Sequence, residues 1–85
     1  MDTLEDWAER EWNKVAGFID HRGARRMHTA ARRRFPDATD DELRGAFESA
    51  IGGWAKTQGE GKPPEHAQTL YDAVAQDFFH SFGEE

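Results

Sequence analysis

The sequence predicts an all-α fold, a small four-helix bundle that forms a single domain. Apolar residues recur at the three- and four-residue spacing of one helix face in four segments, at about residues 3–20, 24–35, 39–57 and 64–82. No segment shows the alternating pattern that is typical of a half-buried strand. A chain of 85 residues has enough apolar side chains for one modest core but not for two.

The first predicted helix begins at Thr3, which can cap the helix because Asp6 stands three residues later. Its apolar stripe consists of Leu4, Trp7, Ala8, Trp12, Val15, Phe18 and Ile19. Glu11 interrupts this stripe, and a carboxylate in such a position needs a partner or must be protonated. We expect Glu11 to pair with an arginine of the second helix, and a functional carboxylate is the alternative.

The second predicted helix follows a turn at Gly23 and ends before Pro36, because the residue that precedes a proline avoids the helical conformation. Its core side is expected to carry Met27, Ala31 and Phe35. The opposite side is basic, and its side chains are expected to point in one direction. These basic residues are Arg22, Arg25, Arg26, Arg32 and Arg33.

The third predicted helix is the central one, because its apolar face is long and contains Trp54. Thr39 and Glu42 have the spacing of a capping box, in which each side chain accepts a hydrogen bond from the backbone N–H of the other residue. Residues 58–63 form a linker that is rich in glycine and proline. The fourth helix follows this linker, and Gly83 is its predicted C-cap.

Composition and spacing exclude several function classes. The chain has no cysteine, and its four histidines are not spaced as paired ligands on one helix, so we expect no metal and no cofactor. The serines lack a nucleophile motif and the glycine pairs follow predicted helices, so we expect no enzymatic activity. No apolar run reaches membrane-spanning length and the N-terminus is acidic, which predicts a cytoplasmic protein without a membrane partner.

The strongest functional signal is the distribution of charge. The chain has a net charge of -6, yet residues 21–34 contain six arginines and no acid. Three explanations stay open: internal pairing with acids of the first and fourth helices, contact with an acidic surface of a protein partner, or contact with nucleic acid. The acids considered for internal pairing are Glu5, Glu9, Asp72 and Asp77.

These features favour a small binding or regulatory protein that occludes or adapts a protein partner with an acidic surface. Small phage and mobile-element inhibitors, such as anti-CRISPR proteins, share this general character. The alternatives are a nucleic-acid-binding protein that uses the arginine-rich helix 22–34 and a homo-oligomeric structural subunit. The candidate partner-binding residues are Arg22, Arg25, Arg26, Arg32, Arg33 and Trp7. Trp7 is expected to form an exposed apolar contact, because it lies at the edge of its stripe.

Overall fold

Four α-helices make up the part of the chain that the structure describes, and no strand occurs in that part. The computed structural model describes residues 2–15 and 20–82. The helices are α1 (Leu4–Val15), α2 (His21–Arg34), α3 (Asp40–Gln58) and α4 (Pro64–Ser81). The prediction of an all-α four-helix fold is confirmed. Three residues with predicted roles lie outside the described residues: Phe18 and Ile19 of the first apolar stripe, and Gly83 at the predicted C-cap.

Side-chain caps begin α1 and α3 as the sequence predicts. Thr3 Oγ1 accepts a hydrogen bond of 3.1 Å from the Asp6 N–H. At the start of α3, Thr39 Oγ1 accepts from the Glu42 N–H at 3.1 Å, and the Glu42 carboxylate accepts from the Thr39 N–H at 2.9 Å. The bonds to the Thr39 backbone and side chain hold the pKa of Glu42 below its usual range. The predicted capping box is therefore confirmed.

The start of α2 differs from the prediction. The helix begins at His21 and contains Gly23 in its first turn. The reason is a cap: the Asp20 carboxylate accepts a hydrogen bond of 2.7 Å from the Gly23 N–H. This bond lowers the pKa of Asp20, and the positive charges of Arg26 and Arg22 lower it further. Asp20 is thus the extended N-cap of α2 and not the end of the first helix.

Aromatic side chains fill the space around the central helix. Trp12 of α1 is 0% exposed, and its ring meets Trp54 of α3 and Phe78 of α4 edge-on, at centroid distances of 5.7 Å and 5.4 Å. Phe47 is equally buried and contacts Phe78 at 5.5 Å. Trp54 itself is only partly buried. The central position of α3 agrees with the prediction, but the largest fully buried side chain is Trp12 and not Trp54.

The four helices do not contact each other equally. Helix α3 packs closely on α1 and on α4, and α2 packs mainly on α4. In the described residues, α1 and α2 hardly touch. A seam is thus left between the described parts of α1 and α2, and the site described next lies along it.

Candidate functional site

An open groove lies along the seam between α1 and α2. Its larger part has a volume of about 820 Å³, and α1 contributes a single residue to it, Trp7. The rest of the lining comes from α2, mostly at the three- and four-residue spacing of one helix face. The α2 residues are Arg22, Arg25, Arg26, Thr29, Ala30, Arg33 and Arg34. We call this region the arginine groove.

The arginine groove continues along the same seam. A second concave region, of about 440 Å³, is lined on the α1 side by Glu11 and Val15. On the α2 side its lining consists of Asp20, Gly23, Arg26, Met27 and Ala30. Arg26 and Ala30 line both regions, so the two regions form one depression between the helices.

Two polar contacts hold α2 in place at its ends. At its start, the ring nitrogen Nδ1 of His21 shares a hydrogen bond with the hydroxyl of Ser81, a buried residue at the end of α4. At the other end, the Arg32 guanidinium pairs with Asp40, and Nε2 of the buried His28 lies 3.4 Å from the same carboxylate. These contacts fix α2 against α4 and α3 and leave its arginine face directed to the open seam.

The guanidinium groups of the arginine groove fall into two classes. Arg22, Arg25, Arg26 and Arg33 are exposed, and none of them forms an ion pair with any residue that the structure describes. Arg34 differs, because its guanidinium lies 3.9 Å from the Asp2 carboxylate and 5.1 Å from the centroid of the Phe35 ring. Four positive charges therefore share one helix face and form no ion pair within the described part of the chain, although the Asp20 carboxylate is close enough for Arg22 and Arg26 to lower its pKa.

The structure removes Arg32 from the predicted arginine face. The turn over residues 35–39 brings the start of α3 beside the end of α2, and Arg32 there pairs with Asp40. Arg34, which the sequence prediction left out, lines the arginine groove in its place. The structure thus brings together four of the five predicted arginines, and adds one.

Trp7 is not the exposed apolar contact that we expected. Only 9% of the residue is exposed, because its ring packs edge-on against the rings of Phe35 and Phe47. The distances between ring centroids are 5.8 Å and 6.0 Å. It nevertheless lines the arginine groove. Trp7 therefore contributes a recessed apolar floor beneath the guanidinium groups and does not project from the surface.

Glu11 also departs from the expectation. Its carboxylate lies 2.7 Å from the Lys14 ammonium of the same helix, and its side chain is 28% exposed. The predicted ion pair with an arginine of the second helix does not form, because the seam between α1 and α2 is open and Lys14 is one helical turn away. Glu11 is thus a half-buried, neutralised residue on the continuation of the arginine groove.

The carboxylates that pair with arginines of α2 are not the ones that the sequence analysis considered. Glu5, Glu9, Asp72 and Asp77 pair with no arginine among residues 2–15 and 20–82. The acids that do pair with α2 are Asp2, which precedes α1, and Asp40, which begins α3. No sequence signal identified these two, since their positions depend on how the helices pack.

No described helix combines the length and apolar character that a bilayer crossing requires. Within residues 2–15 and 20–82, no three histidine, aspartate or glutamate side chains cluster in a way that could hold a metal ion.

Comparisons of the chain with models of protein families, with curated proteins and with solved structures found no match. The geometry and charge of the arginine groove are therefore the basis for assigning a function.

Proposed function

We propose that the protein is a non-enzymatic binding protein that uses the arginine groove to cover an acidic surface of a protein partner. The observation that supports this proposal is the set of four exposed arginines that line one groove with Trp7 and Ala30 and form no ion pair with a described residue. Like charges at helical contact distance, such as Arg22 and Arg26, each destabilise a helix by about 0.2–0.5 kcal/mol. A partner that supplies carboxylates removes this repulsion and gains charge-assisted hydrogen bonds.

The apolar floor favours a protein over nucleic acid as the partner. Trp7 and Ala30 line the same region as the guanidinium groups, and apolar side chains of a protein can bury area against them. Arginine around an apolar centre is also the composition of protein-binding hot spots. Nucleic acid would engage the guanidinium groups through phosphates, and the net charge of -6 on the whole chain opposes its approach.

The expected role is that of an inhibitor or adaptor that occludes its partner. Small phage and mobile-element inhibitors, including anti-CRISPR proteins, are the class of protein to test first. This assignment rests on the surface chemistry of the arginine groove.

A charge-reversal experiment tests the proposal. The tagged full chain is used to capture its partner from a host lysate, the partner is identified by mass spectrometry, and its affinity for purified variants is then measured. Arg25→Glu/Arg26→Glu should weaken binding by about 100-fold or more, because arginine hot spots contribute about 2 kcal/mol or more each. Helical circular dichroism should stay unchanged.

A matched control separates a local effect from a change in net charge. Lys56→Glu/Lys62→Glu changes the net charge by the same amount at two exposed residues outside the arginine groove. Binding of the captured partner should change less than about 3-fold, since rim charges far from a contact contribute little. Equal losses in both double variants would contradict a specific role for the arginine groove.

Two other outcomes would assign the arginine groove to a different partner. Tight, strongly salt-dependent binding of generic duplex DNA or RNA in a mobility-shift assay, lost in Arg25→Glu/Arg26→Glu, would identify a nucleic-acid-binding protein. A stable homo-oligomer in light scattering that the same variant dissociates would identify a second copy of the chain as the occupant.

A further inference from the structure

The seam between α1 and α2 has the dimensions and lining of a site for a third helix. We propose that the arginine groove and its continuation accept an amphipathic acidic helix of the partner, with its apolar stripe on the floor and its carboxylates on the guanidinium groups. This inference rests on the proposed function and specifies that the partner's contact region is an α-helix.

The length of the depression matches a short helix. On the α2 side its lining runs from Asp20 to Arg34, which corresponds to about 21 Å at 1.5 Å per residue. On the α1 side it runs from Trp7 to Val15, or about 12 Å. A helix of about 14 residues has the same length as the α2 side.

The floor of the depression is apolar along its length. Trp7 lines one end, Met27 and Val15 line the other, and Ala30 lies in the region that the two ends share. The small side chain of Ala30 is exposed, so the middle of the floor leaves room for a larger apolar side chain of an occupant. A helix that presents apolar residues at positions i, i+3, i+4 and i+7 can contact such a floor continuously.

The charges beside this floor have a matching period. Arg22, Arg26 and Arg33 are separated by four and seven residues of α2, so their guanidinium groups repeat at the spacing of helical turns. Carboxylates on an occupying helix repeat at the same spacing. On the α1 side, the lining contains one acid, Glu11, and Lys14 already neutralises it. On the α2 side the one acid is Asp20, which caps the helix at Gly23. An acidic helix therefore meets five arginines and two carboxylates that already have partners.

An extended peptide fits this surface less well than a helix. Extended segments bind most often by adding a strand to the free edge of a sheet, and residues 2–15 and 20–82 contain no strand. Two neighbouring helices instead offer ridges and grooves into which a third helix packs. The occupant's backbone hydrogen bonds are then satisfied within its own helix.

Synthetic peptides test the helical occupant directly. The first probe is a peptide of about 14 residues with leucine at i, i+3, i+4 and i+7 and mainly glutamate elsewhere. The second has the same composition in a scrambled order without an apolar face. Each is titrated into the isotope-labelled full chain at low salt and followed by NMR. The amphipathic peptide should bind at least about 10-fold more tightly and shift the amides of α1 and α2 that line the depression.

A substitution that fills the floor of the depression is a more specific test than the peptides alone. Ala30→Trp blocks the middle of the depression without removing any guanidinium group, and it should weaken binding of the amphipathic peptide by about 10-fold or more. Ala73→Trp is the matched control, since it makes the same exchange at an exposed position of α4 outside the depression. This control should bind the peptide as the unmodified chain does.

The outcomes distinguish this inference from the proposed function. Equal binding of both peptides, or unchanged binding by Ala30→Trp, would overturn the helical occupant. The proposed function could still hold after such a result. It would be supported if Arg25→Glu/Arg26→Glu abolished binding of the captured partner, which would then contact the arginine groove through a surface other than an amphipathic helix. Failure of the amphipathic peptide to shift any amide of the depression would also overturn the helical occupant.

Discussion

The two sides of α1 differ in how they meet their neighbours. Toward α3 and α4, Trp12 is fully buried between the rings of Trp54 and Phe78. Toward α2, Trp7 and Glu11 line an open depression with guanidinium groups at its border. Burial of apolar area stabilises the first side. On the second side Trp7 is also buried against Phe35 and Phe47, but the exposed like charges of α2 gain no such burial. The packed core and the proposed binding site therefore lie on different sides of α1.

The largest expected effect on stability comes from truncating a buried side chain on the side of α1 that packs against α3 and α4. Trp12→Ala should lower the free energy of unfolding by about 3–5 kcal/mol, because the exchange leaves a cavity in the core. Trp54→Ala should cost less, since Trp54 is only partly buried. Urea unfolding followed by circular dichroism measures both values. A larger loss for Trp54→Ala than for Trp12→Ala would contradict this order.

The capping box of α3 should contribute a smaller and pH-dependent stabilisation. Thr39→Ala should cost about 1 kcal/mol, the usual value for a lost N-cap. The pKa of Glu42 is lowered in the folded chain, so its contribution is present above about pH 4.3, the ordinary glutamate pKa, and is lost as the pH falls through the lowered value.

Glu42→Gln is the control for this pH dependence. Glutamine keeps the reciprocal bond of the capping box but does not titrate, so the variant should lose less stability between pH 5 and pH 3 than the unmodified chain. Thermal unfolding across that range compares them. The guanidinium groups of the arginine groove do not titrate there, and the other carboxylates are the same in both chains, so a difference between the two profiles reports on Glu42. Identical pH profiles would contradict this role of Glu42.

Position 53 on the outer face of α3 should show the smallest change, and in the opposite direction. Gly53 is exposed, and an added Cβ would meet no atom within 4 Å. Gly53→Ala should therefore raise the free energy of unfolding by about 0.4–1 kcal/mol. Gly61 has a φ of 80°, so Gly61→Ala should instead destabilise the chain. Denaturant midpoints that moved in the same direction would contradict this assignment.

Local sequence signals account for most of the helical scaffold. Periodicity located all four helices, and the caps at Thr3 and Thr39 depend only on residues within one turn. The start of α2 was missed because Asp20 caps a helix that continues through Gly23. A single glycine weakens a helix by about 1 kcal/mol, which a good cap offsets.

The candidate site could be predicted only in part. Helical spacing placed five arginines on one face of α2, and four of them line the arginine groove. It did not show that Asp40 neutralises Arg32 or that Arg34 joins the site. Those relations depend on how the turn after α2 packs. The helical spacing likewise indicates on which side of α1 the Trp7 side chain lies, but not how deeply it is buried. The open seam exists because α1 and α2 hardly touch in the described residues, and local sequence patterns do not predict how two helices pack.

The free energy of unfolding of Arg25→Glu/Arg26→Glu, measured in urea beside Lys56→Glu/Lys62→Glu, tests the separation of stability from binding most directly. We expect a value within about 0.5 kcal/mol of the unmodified chain, or a small increase, because glutamates at 25 and 26 attract Arg22 instead of repelling it. A loss of about 2 kcal/mol or more in the arginine variant alone would show instead that these charges are paired within the fold.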